Sequence, residues 1–222
     1  MSGKQVVTVV LAMVLVFLGA SAAAQDQNNG PDNDRKNELT GIIGRTFISD
    51  QGITGPNAPS VNPFVRSGKG LTFEVNLSRY FFFSPIYAVS GEVPAAFNLD
   101  EKLGSGGPVV PPSYQQIFVT PSVRVNLFPG TAVSPWVSFG AGFGHFSENS
   151  QLIYQGGPNP GQSTTSGVIQ GGVGLDVKIW RRFSIRGQVR DFWSGEPDFP
   201  LADTGKTRQH NYFVGGGVIW HF

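Results

Sequence analysis

Residues 71–81 read Leu71-Thr72-Phe73-Glu74-Val75-Asn76-Leu77-Ser78-Arg79-Tyr80-Phe81. Leu71, Phe73, Val75, Leu77 and Phe81 take odd positions; Thr72, Glu74, Asn76 and Ser78 take even ones. A period of two over about ten residues is a β-strand with one greasy and one polar face. The pattern recurs in 117–127, where Ile117, Val119, Pro121, Val123, Val125 and Leu127 alternate with Phe118, Thr120, Ser122, Arg124 and Asn126. It recurs in 169–179, where Ile169, Val173, Leu175, Val177 and Ile179 alternate with Gln170, Gly172, Gly174, Asp176 and Lys178. Weaker alternation marks 87–99, 137–146, 183–193 and 212–222. A first strand over 38–48 has no clear parity, which leaves the facing of Arg45 open. The total is eight strands.

The connections alternate in length. Short turns fall at Phe83-Ser84-Pro85, at 128–135 and at Trp180-Arg181-Arg182, and long polar loops at about 49–68, 100–113, 147–165 and 194–209. A soluble sandwich has no reason to alternate so regularly, whereas a membrane barrel has short turns on one side and long loops on the other. The expected fold is all-β, an eight-stranded antiparallel up-and-down transmembrane barrel over 38–222.

Composition narrows the classes. The chain has 222 residues, enough for one domain with a small appendage. With 12% aromatic and only 14% charged residues it is not a disordered chain. Thirty Gly and 16 Pro argue against a helical bundle. There is no Cys, hence no disulfide framework, thiolate metal site, Cys nucleophile or acylated N-terminal Cys. The net charge of +1 does not suit a nucleic-acid binder.

Residues 1–24 read as a cleavable signal peptide. Lys4 lies in a polar start, an apolar run follows over 6–18, and small residues at 19–24 precede polar Gln25. Residues 25–37 are expected to be a flexible periplasmic lead-in.

An eight-stranded barrel is just wide enough for its own side chains to fill. The even faces supply Glu74, Glu92, Arg124, Asp176, Arg186 and Arg190 to the lumen, three acids and three bases. Isolated ions there would cost several kcal/mol, so a paired, salt-bridged filling is expected. Counted from the turns, Asp176 falls opposite Arg186 and Glu74 opposite Glu92, and the two glutamates need an arginine close by. Their pairing could be read as a hydrolase dyad, but a packed lumen leaves no room for substrate. Gly140, Gly142 and Gly144, with Gly172, Gly174, Gly215 and Gly217, share inward faces and leave space for long side chains. Gly205-Lys206-Thr207 mimics the end of a phosphate loop, but Pro200 stands where its first Gly belongs.

Aromatic residues give an independent test. Phe81, Phe83, Tyr87, Phe128, Trp136, Trp180 and Phe183, with Trp220 and Phe222, cluster at the short-turn ends. Trp193 and Phe146 lie near the long-loop ends. Two belts at head-group level are expected.

The last strand carries Tyr212, Val214, Val218, Trp220 and Phe222 at alternate positions and ends on Phe. This resembles the C-terminal signal by which outer-membrane barrels are recognised for insertion. With eight strands, the chain resembles the small OmpA/OmpX/OmpW-type barrel superfamily, without a periplasmic OmpA-like domain. The resemblance implies an outer-membrane location, a monomer, and contact with outer-membrane lipids, lipopolysaccharide, periplasmic chaperones and the barrel-insertion machinery. No cofactor, metal or nucleic acid is expected. The expected role is non-enzymatic: envelope support or loop-mediated binding. One alternative is a small-solute or ion channel of OmpW type.

A second alternative rests on His145-Phe146-Ser147 at the outer end of the fifth strand, with His145 and Ser147 on the lipid side. The pair resembles the His-x-Ser of the lipid A deacylase family (PagL), in which a His activates a Ser hydroxyl. That family's orienting Glu has no match here, since nothing acidic occurs between Glu148 and Asp176. His210 and His221 lie at opposite ends, so no zinc spacing arises.

Overall fold

A computed structural model describes residues 36–48, 51–52, 64–67, 69–104, 113–148, 153–154, 157–158, 163–195 and 208–222. The expected signal peptide and nearly all of the lead-in lie outside the described residues. Eight long strands dominate: β1 (Asn37–Ile48), β2 (Lys69–Phe83), β3 (Tyr87–Gly104), β4 in two pieces (Ser113–Val119 and Ser122–Leu127), β5 (Val133–Glu148), β6 (Ser163–Lys178), β7 (Phe183–Gly195) and β8 (Arg208–His221). Each pairs antiparallel with its chain neighbours, and β1 also pairs with β8, which closes the barrel. There is no helix among the described residues.

The register sets the barrel's geometry. Partners run from Glu38 to Ser78, Glu92, Ser122, Gly140, Gln170, Phe192, Asn211 and back to β1 at Ile48. One circuit advances ten residues along β1, so the shear is ten, which tilts the strands by about 40°.

Alternation decides which side chains face lipid. Leu71, Phe73 and Val75, together with Val173, Leu175, Ile185, Val189, Val214 and Val218, point outward and are exposed. The parity of β1 is now resolved: Glu38, Thr40, Ile42 and Thr46 face inward and Arg45 outward. In β4 the ladder breaks at Thr120-Pro121, because proline has no N–H to give. Neighbouring strands patch the break: Thr120 N–H reaches the Pro94 carbonyl at 3.2 Å, and Ala141 N–H reaches the Pro121 carbonyl at 3.2 Å.

Two expectations need correction. The strands are longer than the alternation suggests; β3 has 18 residues and β5 and β6 have 16 each. Beyond the lipid band the outward face need not be apolar, so the pattern fades while the backbone ladder continues. Short pieces also interrupt the expected loops: Gln51–Gly52 pairs with Phe64–Ser67, which pairs with β3, and Ile153–Tyr154 pairs with Gly157–Pro158. Second, Glu74 and Glu92 are not cross-strand partners. Glu74 lies opposite Ala96 and Glu92 opposite Ser78, because Phe83 still pairs with Ala88 and the turn falls at Ser84–Ile86.

Candidate functional site

The lumen is the site that the strands build, and its inner half, nearest the short turns, is ionic. Asp176 and Arg186 face each other across β6 and β7 and form a two-pronged pair, with both N–H···O contacts at 2.7 Å. Arg190 reaches both glutamates: its Nη1 lies 2.8 Å from Glu92 Oε1 and its Nε 3.3 Å from Glu74 Oε1. Gln188 donates to Glu74 at 2.7 Å, and Asn76 to Glu92 at 2.9 Å. Arg124 spans Glu92, at 3.5 Å, and Glu38, which it contacts directly. All three arginines are fully buried.

Glu38 is the member that alternation did not reveal. Its carboxylate accepts from Ser78 at 3.0 Å and from Tyr80 at 2.8 Å, lies 3.9 Å from Arg186, and pairs with His221 Nδ1 at 3.2 Å. The expected three acids are therefore four. Barrel closure carries the missing signal, because the inward parity of β8 puts His221 inside and His221 pairs with Glu38.

Trp136 is also misplaced in the sequence reading. It does not join the girdle; it is 2% exposed and lies in the lumen. Its indole N–H donates to Asp176 at 3.1 Å, and the guanidinium groups of Arg186 and Arg190 lie 4.9 and 5.2 Å from its ring. Even parity on β5 points it inward, where a ring face attracts cations and Asp176 satisfies its N–H. Gly174 makes the room, since a Cβ there would lie 2.5 Å from the indole.

The outer half of the lumen is aromatic. Phe118 and Phe192 stack with centroids 4.8 Å apart, and Phe146, expected in the long-loop belt, is instead 2% exposed on the even, inward parity of β5 and meets Phe118 edge-on at 5.7 Å. Phe213, Ile42 and Val168 are buried with them. Phe213 fits because Gly44 and Gly215 lack side chains; a Cβ on either would come within 2.8 Å of its ring. Polar groups cap this layer: Thr46 bonds Thr72 at 2.7 Å, and Asn211 donates to the Phe192 carbonyl at 2.9 Å and to Ser194 at 3.0 Å. The readable clue was large rings at positions of otherwise polar parity.

Outside, the short-turn end carries exposed Phe81, Phe83, Tyr87, Phe128, Trp180, Phe183, Trp220 and Phe222, joined by Phe82, which alternation did not single out. Phe82 stacks on Tyr87 at 5.3 Å and Trp220 on Phe222 at 4.9 Å. The outward row of β8 holds Tyr212, Val214, Val218 and Trp220, with Phe222 following. At the long-loop end Trp193, His210 and Tyr212 stack in a row, with Asp191 2.7 Å from His210.

His145 and Ser147 occupy outward register positions on β5, beside Thr165 and Ser163 of β6. The His145 imidazole lies 2.9 Å from the Thr165 hydroxyl. Among the described residues no group of three His, Asp or Glu could hold a metal.

No protein-family model matches the chain, and no curated protein matches it. Solved structures do. Neisserial surface protein A (NspA) aligns at 10% identity with a TM-score of 0.56, covering 84% of this chain and 97% of that one. OprG from Pseudomonas aeruginosa aligns at 12% identity and TM-score 0.49, covering 85% and 97%. The outer membrane enzyme PagL aligns at 13% and 0.43, covering 82% and 97%. The likeness to NspA carries the comparison, and it agrees with the closed ladder and the apolar outer surface. The chain therefore has the fold of the small eight-stranded outer-membrane β-barrels, with an apolar outer surface.

Proposed function

We propose that the protein is a non-enzymatic, non-conducting envelope barrel whose filled lumen is a rigid mount for binding loops. One observation carries this reading: the lumen is filled twice, by a buried ion-paired layer and by a layer of stacked rings. A conducting path would have to cross both. Glu74 and Glu92 are each 1% exposed and share Arg190, so neither is placed to meet a substrate. Lipopolysaccharide is the partner that four loops at the outer surface would meet first. The row of Tyr212, Val214, Val218, Trp220 and Phe222 is the proposed recognition element for the insertion machinery, and the barrel works as a monomer.

Planar-bilayer recording tests the reading. Purified protein, inserted and shown to be folded by its heat-dependent shift in electrophoretic mobility, is expected to leave the membrane silent. A reproducible unitary current would favour the channel of OmpW type. Incubation with lipopolysaccharide is expected to release no fatty acid; release that is lost in His145→Ala and Ser147→Ala would favour the deacylase.

A further inference from the structure

The outward face of β8 changes character along its length. Val218 and Val214 are exposed apolar positions, Tyr212 follows, and then come His210 and the exposed Arg208. The row passes from hydrocarbon depth, through an amphipathic ring, to an imidazole and a guanidinium, the same order in which a lipid passes from chains to head group. Trp193 on β7 lies opposite His210, and Asp191 opposite Tyr212.

These side chains form one stack. The Arg208 guanidinium carbon lies 4.6 Å from the centre of the Trp193 ring. Trp193 and His210 are 6.0 Å apart with planes 14° from parallel, and His210 and Tyr212 are 5.7 Å apart at 5°. Asp191 Oδ2 holds His210 Nδ1 at 2.7 Å. Stacking limits rotamer freedom, so a ligand has less order to impose. It engages only the face of the guanidinium, whose N–H fork lies in its plane with the geometry that phosphate takes. The indole N–H and the phenol O–H add donors along the same row.

A second arginine stands on the adjoining strand. Arg45 on β1 is exposed on the outward face, with Val214 opposite it on β8 and Leu71 on β2. Phe47, two residues nearer the loops, lies opposite Tyr212. A cation facing lipid is costly in hydrocarbon and tolerated near the interface, and the long arginine stem carries its charge toward the head groups. Arg45 is level with Val214, so in register it stands roughly 20 Å along the strand from Arg208. Two cations so spaced suit a head group with more than one phosphate.

We propose that this wall of β7, β8 and β1 binds the phosphorylated sugar head group of an outer-leaflet glycolipid, with Arg208 and Arg45 on its phosphates and the edges of Trp193, His210 and Tyr212 on its hydroxyl groups. The site lies on the barrel wall, below the loops. It goes beyond the loop-mount reading and does not depend on it, because a conducting or an enzymatic barrel would carry the same wall.

Fluorescence quenching in vesicles tests it. Trp180→Phe/Trp220→Phe removes the indoles at the short-turn end and Trp136 is shielded in the lumen, so Trp193 reports on the wall. The folded barrel is placed in phosphatidylcholine brominated high on its chains, and unlabelled diphosphorylated lipid A is mixed in to displace the quencher. The expected relief corresponds to an enrichment of lipid A at Trp193 of about threefold or more over its share of the bilayer. Lipid A stripped of its phosphates is expected to dilute the quencher without enrichment. Equal relief by the two lipids would overturn the proposal. The variant Arg45→Gln/Arg208→Gln is expected to lose most of the enrichment; full enrichment in that variant, once folded, would also overturn it. Soluble glucosamine phosphate, added at matching concentration, is expected to leave the enrichment in place. If it abolishes the enrichment, the wall is a site for free sugar phosphate and the lipid assignment fails. Should the double arginine variant not fold, the comparison of phosphorylated with stripped lipid A, both arginines in place, decides between the same outcomes.

Discussion

The inner and outer halves of the lumen fill the same width by opposite means. Near the short turns Glu38, Glu74, Glu92 and Asp176 meet Arg124, Arg186 and Arg190, and each group is tolerable only because its partners are present. Nearer the loops Phe118, Phe146, Phe192 and Phe213 fill space by area and shape. The ionic half is fixed by direction and charge, so losing one member strands another. The aromatic half is fixed by volume, so losing one ring leaves a hole whose cost depends on how far the neighbours collapse. Guanidinium unfolding of the barrel in lipid vesicles can measure this contrast.

The largest effect is expected from Glu38→Leu. It removes the carboxylate shared by Arg124, Ser78, Tyr80 and His221 and leaves the fully buried Arg124 without its closest counter-charge. A loss of about 3–5 kcal/mol is expected, partly recovered in Glu38→Leu/Arg124→Leu. A loss under about 1 kcal/mol would remove the distinction between the halves. Phe192→Ala is next, at about 3 kcal/mol, from lost burial and the cavity beside Phe118. Bilayers holding this variant should still be silent, because the ionic layer lies below the hole. Gly174→Ala is expected to cost about 2 kcal/mol, since the new methyl group meets both the Trp136 ring and the Gly187 carbonyl at 2.5 Å. Trp136→Phe keeps most of the ring and loses the 3.1 Å bond to Asp176, for about 1 kcal/mol. If Trp136→Phe costs more than Phe192→Ala, the expected order of these two substitutions is reversed.

Much of the barrel was legible because a period of two is enforced by lipid on one face and by packing on the other. Runs such as 71–81 and 169–179 obey both constraints and declare their parity. β1 obeys them poorly, with Ile42 inside and Arg45 outside, so Glu38 escaped notice. The facing of Asp176 and Arg186 was countable because the turn at Trp180 is tight. Glu74 and Glu92 were miscounted because Pro85 gives no clue that Phe83 still pairs. Trp136 illustrates a different limit: an aromatic residue beside a turn suits a girdle or a lumen equally well until the parity of β5 and an inward N–H partner separate the two. The aromatic layer was hidden because its rings come from four strands that meet only after closure.

Glu38 has a consequence for how the chain finishes folding. It joins groups from β2, β4, β7 and β8, and it sits on the seam between β1 and β8, where Glu38 pairs with His221 at the far end of the sequence. Such distant contacts form late, after the entropy of a long loop has been lost. Until then the carboxylate and its arginines stay hydrated in an open, curling sheet. The last zipper to shut is also the one that dries the interior, so an unfinished barrel stays wet and poorly suited to lipid while a completed one is committed to it.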